Sequence, residues 1–272
     1  MPRRLRGAVR LAILFSSLLE VLGRFALIYL VRGGRVSMAR RAEWLHASCA
    51  RIGRRLSLSP EVSGGPDGSC LTVSNHLTYL DILVYGAVRP FVFVAKSEVR
   101  RWPFLGTLAK LGGTIFVDRG RSLQVAEASQ QIEHSLRDGL AVLVFPEGTS
   151  SDGREVLPFR SPLFEPAIRA GSSVTAAAIR YHAADAAESE VTYWGEMVFI
   201  PHLFRTLCVR KLAAEIRFDS PWRFSDRKTA ARVAWMKVHG LRAGEAWASR
   251  PVETHSSPKP GIEWGTQRGL GR

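Results

Sequence analysis

The chain has 272 residues, room for one sizeable core with small appendages, and its 46% hydrophobic and 23% charged residues are ordinary for a folded protein. Its 38 Lys and Arg against 24 Asp and Glu, a net charge of +14, imply an anionic partner: nucleic acid, a phospholipid surface or a phosphorylated substrate. The three cysteines, Cys49, Cys70 and Cys208, are far apart and form no metal or redox pattern; their odd number argues against a disulfide framework and suits a reducing compartment.

Residues 11–31, "LAILFSSLLEVLGRFALIYLV", would make a helix about 31 Å long, enough for the hydrocarbon core of a bilayer. Glu20 and Arg24 interrupt it at the spacing that lets them pair, and a clean spanning helix rarely carries both charges. Arg3, Arg4, Arg6 and Arg10 precede it, and Arg32, Arg35, Arg40 and Arg41 follow. Positive charge on both flanks fits a helix on or partly within the cytoplasmic leaflet better than one with an obvious inside and outside, although spanning stays open. A secretory signal peptide fits poorly, because the acidic residue is misplaced and no small-x-small cleavage site follows. In 38–58, Trp44, Leu45, Ser48 and Ile52 share a helical face ringed by arginines. Two readings stand side by side: a solvated amphipathic helix packed on the core, or a second interfacial helix.

The Gly- and Pro-rich segment 59–69 reads as a loop or hairpin turn. Short apolar strands and helical stretches then alternate. Strands are expected at 70–74, 91–95, 113–118, 140–145, 172–181, 191–199 and 212–218. Helices are expected at 81–88, 101–112, 122–139 and near 226–240. The alternation predicts an α/β fold with a mixed, largely parallel sheet flanked by helices, behind a membrane-associated N-terminal helical segment. Three regions follow: membrane-anchoring helices at 1–58, the α/β domain at 59–245, and a Pro-, Ser- and Gly-rich tail at 246–272 that reads as disordered.

Open α/β sheets bind ligands at the carboxyl ends of their strands, and three features lie there. The first is "SNHLTYLD" (74–81). His76 and Asp81 are five positions apart, a rotation of roughly 140° on an ideal helix, so they meet only if His76 ends a loop and Asp81 lies in the first helical turn. That makes a geometric prediction: an imidazole nitrogen within hydrogen-bond reach of the carboxylate, facing the 147–149 loop. Asn75 and Thr78 would help hold the junction, with Thr78 as a cap. The second feature is "FPEGTSSDG" (145–153). Pro146 stops the ladder, Gly148 lets the backbone approach a ligand, and Thr149, Ser150 and Ser151 offer hydroxyl and N–H groups to an anion. The third is Arg119, which follows "GTIFVD" and suits bidentate phosphate binding.

Read singly, each has a bland alternative: a capping or core histidine, a tight turn, a surface arginine. In this order and spacing they resemble the glycerolipid acyltransferases of the lysophosphatidic acid acyltransferase (PlsC) type. The likeness covers roughly residues 68–182, with "VAKSEVRRWPFLG" (94–106) and "LPFRSPLFEPAI" (157–168) around the motifs. The later "YWGEMVFIPHL" (193–203) looks like bacterial members grouped with lyso-ornithine lipid acyltransferases. Two departures stand out. Many members follow Glu-Gly-Thr with an arginine where this chain has Ser150, as the ornithine-lipid branch does, and Ala176 and Ala177 stand where the fourth block usually has a proline.

The resemblance implies acyl transfer from a thioester, acyl-CoA or acyl carrier protein, to the free hydroxyl of a lysolipid. The acceptor is lysophosphatidic acid or, alternatively, a lyso-ornithine lipid. His76 would be the general base, with an unperturbed pKa near the operating pH, and Asp81 would fix its tautomer and stabilise the imidazolium. Backbone N–H groups near Gly148 and Thr149 are candidates for the oxyanion, Glu147 for orienting the loop or the acceptor, and Arg119 and Lys96 for a phosphate. The expected substrate-binding set is Asn75, Lys96, Arg119, Glu147, Gly148 and Thr149, with no metal and no cofactor beyond the thioester co-substrate. The implied partners are the bilayer, the lysolipid and the acyl donor, without nucleic acid, at the cytoplasmic face of a bacterial inner membrane.

Other classes fit less well. The chain lacks the Gly-x-Ser-x-Gly elbow of a serine hydrolase and the Gly-x4-Gly-Lys-Ser/Thr loop of an NTPase. His134, His182 and His202 lack ligand spacing for a metal-dependent hydrolase, and a nucleic-acid binder would not explain the apolar N-terminus. A catalytically silent lipid-binding homologue is the rival of a different class.

Overall fold

The run "CLTVS" forms a strand buried along its whole length because it lies inside a sheet covered on both faces. The computed structural model describes residues 2–65, 68–102, 105–118 and 120–244. The strands are β1 (Pro60–Ser63), β2 (Cys70–Ser74), β3 (Val92–Lys96), β4 (Ile115–Val117), β5 (Val142–Val144), β6 (Ser173–Ala183) and β7 (Leu212–Phe218). They lie in the order β1-β7-β6-β2-β5-β3-β4. The pairings from β6 through β4 are parallel; β7 runs antiparallel to β6, and β1 parallel to β7. This is the mixed, largely parallel sheet that the alternation predicts.

Two long helices, α1 (Arg3–Val31) and α2 (Met38–Leu56), precede the sheet. They are followed by α3 (Leu80–Val88), α4 (Leu105–Leu111), α5 (Ser122–Arg137), α6 (Glu165–Arg169), α7 (Glu188–Val191), α8 (Phe199–Leu207) and α9 (Arg227–Ala243). One core layer joins α1, α2 and α3 to Leu143, Ile179 and Ile216 of the sheet. The opposite layer packs α5, α6 and α9 onto Leu71, Val73, Val142 and Val144. Alternate side chains of β5 thus go to opposite layers, as the strand period requires.

The N-terminal helices belong to this packing. Trp44, Leu45, Ser48 and Ile52 are all buried, and the Trp44 indole donates to the Val21 carbonyl (3.1 Å) while Phe25 meets it edge-on at 4.9 Å. The apolar face of α2 is therefore a core face, which decides between its two readings. Near its other end, α1 touches α8 so closely that a Cβ on Gly7 would lie 2.4 Å from the Cys208 sulfur. Arg10 adds a cap to α8 by donating to the carbonyls of Leu207 (3.1 Å) and Arg210 (3.3 Å). Glu20 and Arg24 pair at 3.0 Å as their spacing predicts, and Arg51 and Arg55 of α2 reach the same carboxylate at 3.4 and 2.7 Å.

Three expectations need correction. The segment 59–69 carries strand β1, which pairs with β7 at the sheet edge; Pro60 at a strand start is tolerated there because an edge residue needs no ladder donor. The strand expected at 191–199 does not form: α7 ends at Val191 and α8 begins at Phe199. Gly195, at φ +58°, turns the chain in mid-segment, and the Tyr193 N–H goes to the Leu77 carbonyl and not into a ladder. The helix expected at 101–112 is shorter, with a 3-10 turn at Ser97–Arg101 before α4. The tail expected to be disordered, 246–272, lies outside the described residues.

Candidate active site

At the carboxyl end of β2 the chain must turn out of a fully buried strand without stranding polar groups. Asn75 makes this possible. Its amide donates to the Ile179 carbonyl (3.1 Å) and accepts from the Ile179 N–H (2.9 Å), so a side chain supplies the next rung of the β2–β6 ladder. His76 follows at the turn, and its carbonyl accepts from the N–H of Ser151 (3.0 Å).

Asp81 lies in the first turn of α3, fully buried, where a negative charge suits the helix dipole. Four donors converge on its carboxylate. Oδ2 accepts from His76 Nδ1 (2.7 Å), Leu77 N–H (2.7 Å) and Thr78 N–H (3.1 Å), and Oδ1 accepts from the Tyr181 hydroxyl (2.8 Å). A carboxylate only accepts, so Nδ1 must carry the proton and Nε2 keeps its lone pair. The imidazole also stacks on Phe145, with ring centroids 4.2 Å apart and planes 17° apart. The ring is thus fixed by Asp81 at its edge and Phe145 at its face, with 24% of the side chain still accessible. Thr78 is not the expected cap. Its buried hydroxyl has no hydrogen-bond partner, and the Asp81 N–H that a cap at this position would take goes to the Thr78 carbonyl instead (3.1 Å).

After β5, Pro146 and Glu147 lead into Gly148, whose φ of +78° requires glycine and whose N–H closes a turn onto the Phe145 carbonyl (3.1 Å). Glu147 is 4% exposed, and neither carboxyl oxygen has a hydrogen-bond partner. Burial pushes its pKa up to about 8; the backbone N–H groups of His76 and Leu157 act in the opposite direction without making hydrogen bonds of good geometry. Thr149 is exposed at the tip of the turn. The Ser150 hydroxyl donates to the Tyr193 carbonyl, and the Tyr193 N–H to the Leu77 carbonyl (2.8 Å). The 193 segment therefore ties the two motif loops together.

His76, Asp81, Glu147 and Gly148 meet at the carboxyl ends of neighbouring strands, as the motifs predict. Lys96, the exposed last residue of β3, is at the same edge of the sheet. Asn75 faces inward, its amide taken up by Ile179. Arg119 lies outside the described residues. Tyr181, Phe145 and the Tyr193 backbone escape the sequence reading; the one available signal was a tyrosine at the end of a buried strand, whose hydroxyl needs a partner. Among the described residues, no three His, Cys, Asp or Glu side chains gather as metal ligands do.

This arrangement can place a lone-pair nitrogen, oriented by a buried carboxylate, beside the glycine turn that follows β5. A family model described as Acyltransferase matches residues 56–180. A lyso-ornithine lipid O-acyltransferase of Rhodobacter capsulatus is 36% identical over 185 residues, 65% of this chain and 66% of that protein. One from Pseudomonas aeruginosa is 32% identical over 205 residues, 75% of this chain and 78% of its own length. A 1-acyl-sn-glycerol-3-phosphate acyltransferase of Neisseria gonorrhoeae is 33% identical over 153 residues, 56% of this chain and 60% of its own. The crystal structure of the 1-acyl-sn-glycerophosphate (LPA) acyltransferase PlsC from Thermotoga maritima has the same fold, with a TM-score of 0.62 at 18% identity over 91% of this chain and 100% of that one.

Proposed function

The chain belongs to the glycerolipid acyltransferase family of the lysophosphatidic acid acyltransferase (PlsC) type, and on that premise we propose that it transfers a fatty acyl chain from a thioester to the free hydroxyl of a lysolipid at a membrane surface. The observation that carries this reading is the 2.7 Å bond from His76 Nδ1 to buried Asp81, which leaves Nε2 as a base.

A hydroxyl is a poor nucleophile near neutral pH. His76 Nε2 takes its proton as the oxygen attacks the thioester carbonyl, and Asp81 stabilises the imidazolium that forms. The carbonyl oxygen becomes an oxyanion, for which the backbone N–H of Thr149, at the exposed tip of the glycine turn, is the donor. The tetrahedral intermediate collapses with cleavage of the C–S bond, and the imidazolium proton goes to the departing thiolate. The products are an ester and a free thiol. No enzyme nucleophile is needed.

For the acceptor, the motif order supports lysophosphatidic acid. One observation favours a lyso-ornithine lipid: position 150 carries a serine tied back to the Tyr193 carbonyl, so it offers no cation to a phosphate monoester. The R. capsulatus and P. aeruginosa relatives carry that name. The donor, acyl-CoA or acyl carrier protein, enters this reading as a thioester of either kind.

Helix α1 supports attachment in the plane of the bilayer. Its inner face packs on α2 and α8, while Leu5, Val9, Leu19, Leu27 and Leu30 are exposed on the outside. A helix packed on its own domain near both ends cannot cross the bilayer without losing those contacts. The outer leucines would enter the interface, and the flanking arginines would meet anionic headgroups on the cytoplasmic side.

The test is a panel of lysolipid acceptors in vesicles, each with acyl-CoA and with acyl carrier protein thioester, read by mass spectrometry for the new ester. A diacyl product from the wild type, and about 10²-fold or greater loss of rate in His76→Ala, is the expected result. No product with any pair, or an undiminished His76→Ala rate, would reject it.

A further inference from the structure

The ends of β2 and β6 create a hydrogen-bonding problem that is solved far from the motifs. The β2–β6 ladder stops at Ser74 and Ala177, yet β6 continues to Ala183. Beyond the last rung, the Ile179 and Tyr181 backbones face the side that β2 has left, and buried backbone groups need partners. Asn75 takes one pair of positions. Glu188 of α7 takes the next, its Oε1 accepting from the Tyr181 N–H (2.8 Å), and Arg242 in the last turn of α9 shares the Ile179 carbonyl with Asn75 through Nη1 (2.7 Å).

Arg242 is 6% exposed, so its charge needs a counter-charge and a full set of acceptors. Nη2 pairs with Glu188 Oε2 (2.6 Å), and Nη2 and Nε both donate to the Gly153 carbonyl, the latter at 3.2 Å. Gly153 ends the loop that begins at Pro146, and its neighbour Ser151 holds the His76 carbonyl. One guanidinium therefore joins four segments: α9, α7, the stretch of β6 beyond β2, and the far end of the glycine-turn loop. Through β6 it bears on both supports of the dyad. Ile179 holds Asn75, next to His76, and Tyr181 holds Asp81.

We infer that Arg242 and Glu188 form a positioning pair for the reaction, keeping the His76–Asp81 dyad and the glycine turn in register without touching substrate. This rests on the reading of His76 as the base. Only a planar fork can serve Ile179, Gly153 and Glu188 together; an ammonium group on a flexible stem cannot. Arg242→Lys keeps the charge and breaks the fork.

The experiment measures kcat and KM for Arg242→Lys and Glu188→Gln in vesicles, with thermal unfolding and ring-nitrogen NMR of His76 on the same samples. Arg242→Lys is expected to stay folded, hold KM for both substrates within about twofold, and lose about 10- to 100-fold in kcat, the scale of a small misplacement of reacting groups. The His76 ring-nitrogen signals should lose their single-tautomer pattern. Glu188→Gln, which keeps an oxygen for the Tyr181 N–H, should show a smaller fall of the same kind. Wild-type kcat in folded Arg242→Lys overturns the inference, as does a rise in KM at constant kcat. So does a kcat loss that merely tracks the unfolded fraction while the His76 signals stay unchanged. If Arg242→Lys does not fold, Glu188→Gln decides by the same readings, and wild-type kcat there overturns it. His76→Ala run in parallel separates the two ideas: full activity in that variant rejects the base itself.

Discussion

Tyr181 donates its hydroxyl proton to the Asp81 carboxylate across 2.8 Å, although the two residues are 100 positions apart in sequence. Burial first, and then the neighbouring negative charge of Asp81, raises the Tyr181 pKa well above its ordinary value, so the phenol remains a donor throughout the working range of the protein. The carboxylate that orients His76 is thus itself oriented from the opposite strand.

Tyr181→Phe removes that donor without opening a cavity. A hydrogen bond to a charged group is worth about 1.5–3 kcal/mol, and urea denaturation should show a loss of that size. An unchanged midpoint would mean that the bond contributes nothing.

Asp81→Asn replaces an acceptor for four donors by a side chain with one acceptor oxygen and two donors of its own. The His76 tautomer is no longer imposed, and kcat should fall by about 10²-fold or more with a much smaller change in KM. Steady-state kinetics at saturating acceptor are the check; wild-type kcat would remove Asp81 from the mechanism.

Glu147 makes stability depend on pH. Its pKa is about 8 in the folded protein against an ordinary 4.5, so between those values the native state binds more protons than the unfolded chain. Stability from this group is then fully present below about pH 4.5, falls as pH rises, and levels off above about 8. Glu147→Gln should flatten the decline. Thermal unfolding across this range is the measurement, and equal slopes for the two proteins would contradict it.

Gly153 has φ of +83°, and a Cβ there would lie 2.7 Å from Arg242 Nη2. Gly153→Ala should cost about 1–2 kcal/mol from the left-handed backbone alone, and more if the guanidinium is displaced. Chemical denaturation would detect it; no loss would show that the loop relaxes freely.

For membrane attachment, the useful variant leaves the inner face of α1 intact, because Val21 and Phe25 belong to the core with Trp44. Changing exposed Leu19 and Leu27 to Glu should reduce vesicle binding by more than about tenfold while leaving the unfolding temperature unchanged. Undiminished sedimentation with vesicles would place the anchor elsewhere.

Much of this site could be read along the chain. The awkward five-residue spacing of His76 and Asp81 has the geometry it demanded, a loop histidine over a first-turn carboxylate. The apolar face of α2 and the glycine turn after β5 were equally visible, since each depends on a window of a few residues. The roles of Thr78 and Asn75 were not. Both are short polar side chains at a helix entrance, and only the folded chain shows that Asn75 extends a ladder to Ile179 while the Asp81 N–H goes to the Thr78 carbonyl and not to its hydroxyl. Strand β1 was hidden by its proline and its four-residue length, and the 191–199 segment misled because its β-branched and aromatic residues are interrupted by Gly195, which turns the chain at φ +58°.

What the sequence by itself determined is the layered α/β architecture, the amphipathic N-terminus and the pairing of a base with a carboxylate, because periodicity and strand-end placement are local properties of the chain. The tertiary structure alone decided who satisfies the buried polar groups around that pair: Tyr181 for Asp81, Ile179 for Asn75, and Arg242 with Glu188 for the end of β6. The reason is physical. Burial makes an unpartnered polar group costly wherever it lies, but which distant residue comes to meet it depends on how strands and helices pack.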